Sequence, residues 1–361
     1  MDMINSSYSV IVGTGSYIPP RRVHNDDFLK HQFYDSKGVL FDQTNEEIIR
    51  KFEQITGITE RRYVTDDLVT SDIAFYAAAD ALESSRIHKE TLDYIILAHN
   101  FGDVKAHNRR ADFVPSLAAR VKQKLEIQNP KTVAYDLTFG CPGWLQAMIQ
   151  SDYYLKAGDA KRILVIGAEI LSRVSDPHDR DSMIYADGAG ATVLEATQSG
   201  EPVGILSHTA RSDTHNAYML RMGGSNKRDG GGNELFLKMQ GHKLYEYALG
   251  AVPGVVKESI EKAGLSLSNV NKVLLHQANA KMDEAILKRL YKLYGEEKVA
   301  NHIMPMTISS LGNSSVATMP TLLDLLLKGR VENHKLAKGD NVVFASVGAG
   351  MNINSLVYRM P

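Results

Sequence analysis

The sequence repeats its own order of elements, and that repeat limits the fold more than any other feature. Asp80-Ala-Leu-Glu-Ser-Ser-Arg-Ile87 leads to Leu92-Asp-Tyr-Ile-Ile-Leu97, which reads as a helix end, a short loop and a buried strand. Glu258-Ser-Ile-Glu-Lys-Ala-Gly-Leu265 leads to Val270-Asn-Lys-Val-Leu-Leu275 in the same way, 178 positions later (Glu83 to Glu261, Leu97 to Leu275). The order then continues in parallel. A strand over 132–138 leads to Gly140-Cys141, and Ile303-Met-Pro-Met-Thr-Ile308 leads to Gly312-Asn313. Ile163-Leu-Val-Ile-Gly-Ala168 is matched by Val342-Val-Phe-Ala-Ser-Val347. Single segments of α/β sequence can look alike by chance, but agreement in order and in the turns favours duplication. The period is far too long for a solenoid. Two such halves, 1–198 and 199–361, imply α/β layering with mostly parallel strands between helices.

The one cysteine of the 361 residues sits on a turn of the first half, in Asp136-Leu-Thr-Phe-Gly-Cys-Pro-Gly-Trp144. Gly143 to Ala157 carries apolar positions at helical spacing. The thiol therefore lies between a strand and a helix N-terminus, where unpaired N–H groups and the helix dipole favour the thiolate. A free cysteine is more often a small buried hydrophobe. Gly140, Gly143 and Pro142 around the turn favour a nucleophile instead.

Charge excludes several classes of partner. There are 41 basic and 42 acidic residues, a net charge of −1, so no global attraction to nucleic acid or membrane exists and any basic function is a local patch. A single cysteine forbids an intrachain disulfide and fits a reducing compartment. Met1-Asp-Met-Ile-Asn-Ser-Ser-Tyr8 lacks the pattern of a signal peptide, and no apolar run reaches about 18 residues. The expectation is a cytoplasmic protein that neither enters a membrane nor binds nucleic acid.

Four other features invite chemistry and are set aside. Val12-Gly-Thr-Gly-Ser-Tyr-Ile-Pro19 has Ile18 where a dinucleotide fingerprint needs its third glycine, and Pro19-Pro20 prevents a helix from opening. Asp176-Pro-His-Asp-Arg-Asp181 lacks a flanking ligand series and reads as a solvated turn rather than a metal site. Gly223-Gly-Ser-Asn-Lys-Arg-Asp-Gly-Gly-Gly232 lacks the ending of a P-loop and reads as a mobile loop. Trp144 and Tyr153-Tyr154 read as helix-face packing.

Three sites remain, each just beyond a strand, at the edge where α/β sheets place ligands. They are Cys141, His276 in Leu274-Leu-His-Gln-Ala-Asn279, and Asn313 in Leu311-Gly-Asn-Ser-Ser-Val-Ala-Thr-Met-Pro320. A lone strand-end His or turn Asn is usually structural. These gain weight as a set with the cysteine.

Together these segments make a chain that resembles the thiolase superfamily, and most closely its β-ketoacyl-acyl carrier protein synthase III branch. The likeness runs from Ile11-Val-Gly-Thr-Gly-Ser-Tyr-Ile-Pro19 to Ser355-Leu-Val-Tyr-Arg359. It includes Thr56-Gly-Ile-Thr-Glu-Arg61, Asp176-Pro-His-Asp-Arg180, Asp187-Gly-Ala-Gly-Ala-Thr-Val-Leu194 and Gly348-Ala-Gly350. It implies a thiolase-like duplicated βαβαβαββ fold, five-layered α-β-α-β-α, as a homodimer, with no cofactor. It also implies a Claisen condensation in fatty acid, related lipid or polyketide synthesis. Cys141 would carry the acyl group, with the N–H groups of Cys141 and Ala349 as the oxyanion hole. His276 and Asn313 would stabilise the enolate of a malonyl- or β-ketoacyl-thioester, and neutral imidazole suits that role. Arg180 would contact coenzyme A. Lys281, Lys288 and Arg289, with Lys292 on the same helix face, would receive acyl carrier protein.

The sequence departs from that pattern in three places. Lys51 stands where the housekeeping enzyme has a tryptophan that sandwiches adenine with the Arg180 position, which weakens the case for an acetyl-CoA primer. The stretches 29–45 and 223–232 are longer than in that enzyme. Ala349 replaces a glycine. These departures leave room for a secondary-metabolism enzyme that joins two longer acyl chains into a cyclohexanedione or dialkylresorcinol product. A non-catalytic partner subunit of a heterodimer is a further alternative, opposed by the joint presence of Cys141, His276 and Asn313.

Overall fold

The computed structural model describes residues 6–228 and 233–361. The 229–232 part of the expected mobile loop lies outside them.

Side chains alternate along the central strands, and that alternation dictates the layers. Ile163 and Val165 face one core while Leu164 and Ile166 face another. Val342 and Phe344 likewise separate from Val343 and Ala345. Each sheet is therefore apolar on both faces and must be covered on both. The first sheet has the spatial order Ser6–Tyr17, Asp187–Ser199, Arg162–Ile170, Tyr94–Ala98, Val133–Leu137. The second has the order Gly204–Ser212, Asn352–Arg359, Asn341–Gly348, Lys272–Leu275. Helices Thr70–Ser85 and Leu117–Lys124 cover the outside of the first sheet, and Gly241–Lys262 and Ala280–Leu293 the outside of the second. Helices Gly143–Ala157 and Thr318–Leu327 lie between the sheets, where Trp144, Met148, Met319 and Leu322 meet Ile96, Leu274 and Phe344. The result is the five-layered α-β-α-β-α, thiolase-like fold.

The expectation of mostly parallel strands is corrected. Only the pairs Tyr94–Ala98 with Val133–Leu137, Tyr94–Ala98 with Arg162–Ile170, and Lys272–Leu275 with Asn341–Gly348 run parallel within the two large sheets. The last strands of each half lack a crossover helix and fold back antiparallel. The expected strand at 303–308 is also absent. Pro305 has no N–H to donate, and the Thr307 N–H bonds the Gln277 side chain (2.8 Å) instead of a strand. One ladder-like bond survives, from Val273 N to Ile303 O (2.9 Å).

Two loops expected to be loose are pinned. Asp176 is fully buried, not solvated. Its carboxylate accepts from Ser225 Oγ (2.9 Å), Asn226 N (2.7 Å) and Lys238 Nζ. Asn226 Nδ2 donates to Tyr34 O and Arg228 to Ser36 O, so residues 225–228 are strapped onto the 29–45 segment. Trp144 and Tyr154 pack as expected, against Phe344 and Tyr94, but Tyr153 is exposed. Among the described residues, no helix is long and apolar enough to cross a membrane, and no cluster of His, Cys, Asp and Glu is arranged to hold a metal.

Candidate active site

Cys141 is delivered by the strand Val133–Leu137 and a tight turn. Gly140 takes a positive φ of 73°, and Pro142, with φ −72°, caps the helix that starts at Gly143. The turn lies backbone to backbone on the 348–350 loop. A Cβ on Gly348 would come within 2.5 Å of the Cys141 nitrogen, so only glycine fits there. Gly350 carries the positive φ of that loop (80°), which explains why alanine is tolerated at 349.

The helix end does not dominate the thiol, contrary to the sequence reading. Cys141 borders a cavity but is enclosed by protein, and burial pushes its thiol up to about 11. The Ser315 hydroxyl, 3.4 Å from Sγ, works against that rise, while the nearby Glu169 charge adds to it.

His276 continues the strand Lys272–Leu275 by one residue, its N–H bonding Ala345 O (2.9 Å). It is 4% exposed, and burial pushes its imidazole down to about 4. The ring is neutral at neutral pH. Its Nδ1 lies 2.6 Å from Thr318 Oγ1, which is also 3.1 Å from Ser315 O. Asn313 follows Gly312, whose φ is 68°. Its backbone is locked by bonds to Ile184 O and from Ala186 N. Its Oδ1 accepts the Ser315 N–H (2.8 Å), which leaves the Nδ2 donors for a ligand.

Ser315 thus touches all three groups. Its N–H fixes the Asn313 amide, its O–H meets the Cys141 sulfur, and its C=O meets the hydroxyl that holds His276. It does so at a φ of 53°, an uncommon conformation for a non-glycine residue. Asn100 fixes the direction of the Ser315 hydroxyl. Its Nδ2 donates to Ser315 Oγ (3.1 Å) and to Glu169 (2.6 Å), and its Oδ1 accepts the Gly140 N–H (2.9 Å). With its acceptor side occupied, the hydroxyl proton is available to sulfur. Glu169 is fully buried, and burial pushes its carboxyl up to about 7. Sequence reasoning assigned nothing to Asn100, Glu169, Ser315 or Thr318. Ser315 and Thr318 lie in the Asn313 segment, but their roles depend on partners far along the chain, Cys141 and Asn100 for Ser315 and His276 for Thr318.

Cys141, His276, Asn313 and Ala349 line one cavity of about 1000 Å³. Its walls include Phe52, Met183, Leu220, Met239 and Met282, and the exposed lining residues Lys51, Arg221 and His242 mark its mouth. Arg180 lines the same cavity, with its guanidinium 4.5 Å from the centre of the Phe41 ring. An aromatic residue thus does pack on Arg180, but from the 29–45 segment and not from position 51. The basic residues of helix Ala280–Leu293 lie apart from this cavity. Lys281, Lys288, Arg289 and Lys292 are exposed on it, but Arg289 already bonds Leu249 O (3.0 Å).

Residues 135–214 match the family model for 3-oxoacyl-(acyl-carrier-protein) synthase III, and residues 260–360 match the model of that enzyme's C-terminal domain. A β-ketoacyl-(acyl-carrier-protein) synthase III of Xanthomonas campestris pv. campestris is 33% identical over 98% of both chains. The crystal structure of the Thermus thermophilus synthase III superposes with a TM-score of 0.80 at 30% identity, covering 98% of this chain and 99% of that one. The Aquifex aeolicus synthase III gives 0.79 at 28% identity, covering 97% and 99%. The chain belongs to the 3-oxoacyl-(acyl-carrier-protein) synthase III family, condensing acyltransferases of the thiolase-like fold.

Proposed function

We propose that this protein carries an acyl group on Cys141 and condenses it with a malonyl-thioester. Sγ attacks the acyl carbonyl, and the N–H groups of Cys141 and Ala349 hold the oxyanion. The donor C–S bond breaks, and the donor thiol leaves with the cysteine proton. A malonyl-thioester then enters. His276 Nε2–H and Asn313 Nδ2 donate to its thioester carbonyl. The bond to the carboxylate breaks, CO₂ leaves, and the electron pair becomes the enolate. The enolate carbon attacks the acyl-enzyme carbonyl, a carbon–carbon bond forms, and the Cys141 thiolate departs. A β-ketoacyl-thioester can replace malonyl if its α-proton is removed instead. The observation that carries this reading is the meeting of one nucleophile and two neutral donors in one cavity.

Substrate contacts extend the reading. The cavity walls near the nucleophile are rich in methionine, which adapts to flexible chains. We assign the primer as a longer acyl chain, delivered by acyl carrier protein or coenzyme A. Arg180 would contact the donor, and Lys281, Lys288 and Arg289 the carrier protein. A homodimer without cofactor completes the proposal. The test is intact-mass spectrometry of the wild type and Cys141→Ser after incubation with acyl thioesters. The wild type gains the acyl mass and the variant does not. An equal adduct on both would overturn the reading.

A further inference from the structure

A backbone donor stabilises a developing oxyanion only if it already points at it, so the placing of the Ala349 N–H is a matter of chemistry. The short turn that carries it is conformationally demanding. Gly350 and Met351 follow one another at positive φ, 80° and 52°. Glycine adopts that region freely, but a residue with a side chain keeps it only where its surroundings hold it there. Met351 is fully buried.

The polar hold on this turn comes from outside the cavity. Met351 O accepts the N–H of Asp213 (3.1 Å), the residue that follows the strand Gly204–Ser212. Asp213 is in turn fixed through its side chain. Arg211 Nε donates to both carboxylate oxygens (3.0 and 2.9 Å), and Tyr247 Oη, from helix Gly241–Lys262, donates to Oδ2 (2.7 Å). The phenol oxygen also lies 3.2 Å from Met351 O. Its one proton goes to the carboxylate, the nearer and charged acceptor. At the other end of the turn, Asn352 Nδ2 donates to Ala349 O (2.9 Å), and the Ser212 hydroxyl donates to Asn352 Oδ1. Residues 212 and 213 thus grip both ends of the turn. Asp213 and Tyr247 border a separate surface cleft and not the cavity that holds Cys141.

We infer that Asp213 and Tyr247 are positioning residues for the oxyanion hole. They fix the Met351 carbonyl and so aim the Ala349 N–H at the acyl oxygen on Cys141. The inference rests on the oxyanion role given to Ala349 and deepens it.

The test compares two reactions of the same sulfur, both followed by intact mass on the purified full chain. Acylation by an N-acetylcysteamine thioester passes through a tetrahedral oxyanion. Alkylation by iodoacetamide displaces iodide and forms none. The thioesters are acetyl, hexanoyl and decanoyl, and the one that loads the wild type fastest is used. Asp213→Ala should cut the maximal acylation rate about tenfold, out of the about 10²–10³ that a whole donor is worth, with the half-saturating thioester concentration unchanged. Tyr247→Phe should cut it about threefold, because Arg211 still holds the carboxylate. Alkylation should stay within about twofold of the wild type in both variants. Ala349→Pro, which lacks the N–H itself, should lose more acylation than either. Wild-type acylation in Asp213→Ala overturns the inference, and in Tyr247→Phe alone it overturns the part given to Tyr247. Equal losses in acylation and alkylation also overturn it, because the turn that carries Cys141 would then have moved. An Ala349→Pro variant that acylates like the wild type overturns the oxyanion role of Ala349, and this inference with it. A wild type that no thioester loads overturns the acyl-carrier reading itself.

Discussion

Burial acts on the two halves of the site with opposite consequences. It pushes the Cys141 thiol up to about 11 and the His276 imidazole down to about 4. In both cases the neutral form is favoured. For His276 that is the form the proposed chemistry uses, and nothing else is needed except the right tautomer. For Cys141 it is the wrong form, because the nucleophile is the thiolate. The structure accordingly surrounds the two differently. His276 has one hydroxyl against its ring, from Thr318. Cys141 has the Ser315 hydroxyl against its sulfur, held in direction by Asn100, while the Glu169 charge beyond Asn100 works the other way. The stability consequence of His276 has a definite sign. Its folded value lies below the unfolded one of about 6.5, so the unfolded chain takes the proton first. His276 therefore costs stability as the pH falls from about 6.5 toward 4.

The comparison breaks most visibly when the neutral donors are removed. His276→Ala and Asn313→Ala should each lose about 10²–10³ in malonyl decarboxylation and condensation. Loading of Cys141, followed by mass, should fall much less. Variants that load poorly yet condense whatever is loaded would reverse the assignment.

Removing the support of the thiolate should have the next largest effect. Ser315→Ala deletes the hydroxyl and leaves the backbone bonds. Iodoacetamide alkylation of Cys141 near pH 8 should slow about tenfold, the worth of a hydrogen bond to a charged group. In the wild type the alkylation rate should keep rising above about pH 9, where an ordinary thiol levels off. A plateau near pH 8.5 in the wild type would show that the thiolate is better stabilised than burial and Ser315 imply.

Thr318 sharpens the His276 side. Its single hydroxyl proton can go to Nδ1 or to Ser315 O. The first choice places the ring proton on Nε2, where a substrate carbonyl needs it. Thr318→Val should shift the His276 tautomer populations in ¹⁵N NMR and lower condensation several-fold, with loading less affected. An unchanged spectrum would assign the tautomer to another contact.

The smallest effect concerns the helix outside the cavity. Arg289 is tied to Leu249 O, so Lys281 and Lys288 are the cleaner probes. Lys281→Glu with Lys288→Glu should raise KM for a carrier-protein thioester several-fold at low salt. Turnover of an N-acetylcysteamine thioester should barely change. Equal losses on both donors would place the damage elsewhere.

What could be read from the sequence follows the same division. The helix Gly143–Ala157, the turn that carries Cys141 and the strand that ends on His276 are legible because each depends on local pattern, whereas Asn313 follows the short helix Ile308–Leu311 and not the expected strand. Strand direction was misread, because the ββ ends of the halves carry the same apolar runs as parallel strands. The 303–308 segment forms no strand because Pro305 has no N–H and the Thr307 N–H goes to the Gln277 side chain. The Asp176 loop looked solvated because its partners, Asn226 and Lys238, lie far along the chain. The thiol was misjudged for a related reason. A helix N-terminus is visible in sequence, whereas burial and the approach of Glu169 are products of the fold.

The most direct measurement is a chase of the loaded enzyme. The chain is first acylated, the adduct mass is localised to Cys141, and a malonyl-thioester is added. The account predicts that the Cys141 adduct disappears as CO₂ is released and a β-ketoacyl-thioester, carrying the loaded acyl group, appears in equal amount. An adduct that persists while malonyl is decarboxylated, or an acyl mass located on another residue, would contradict it.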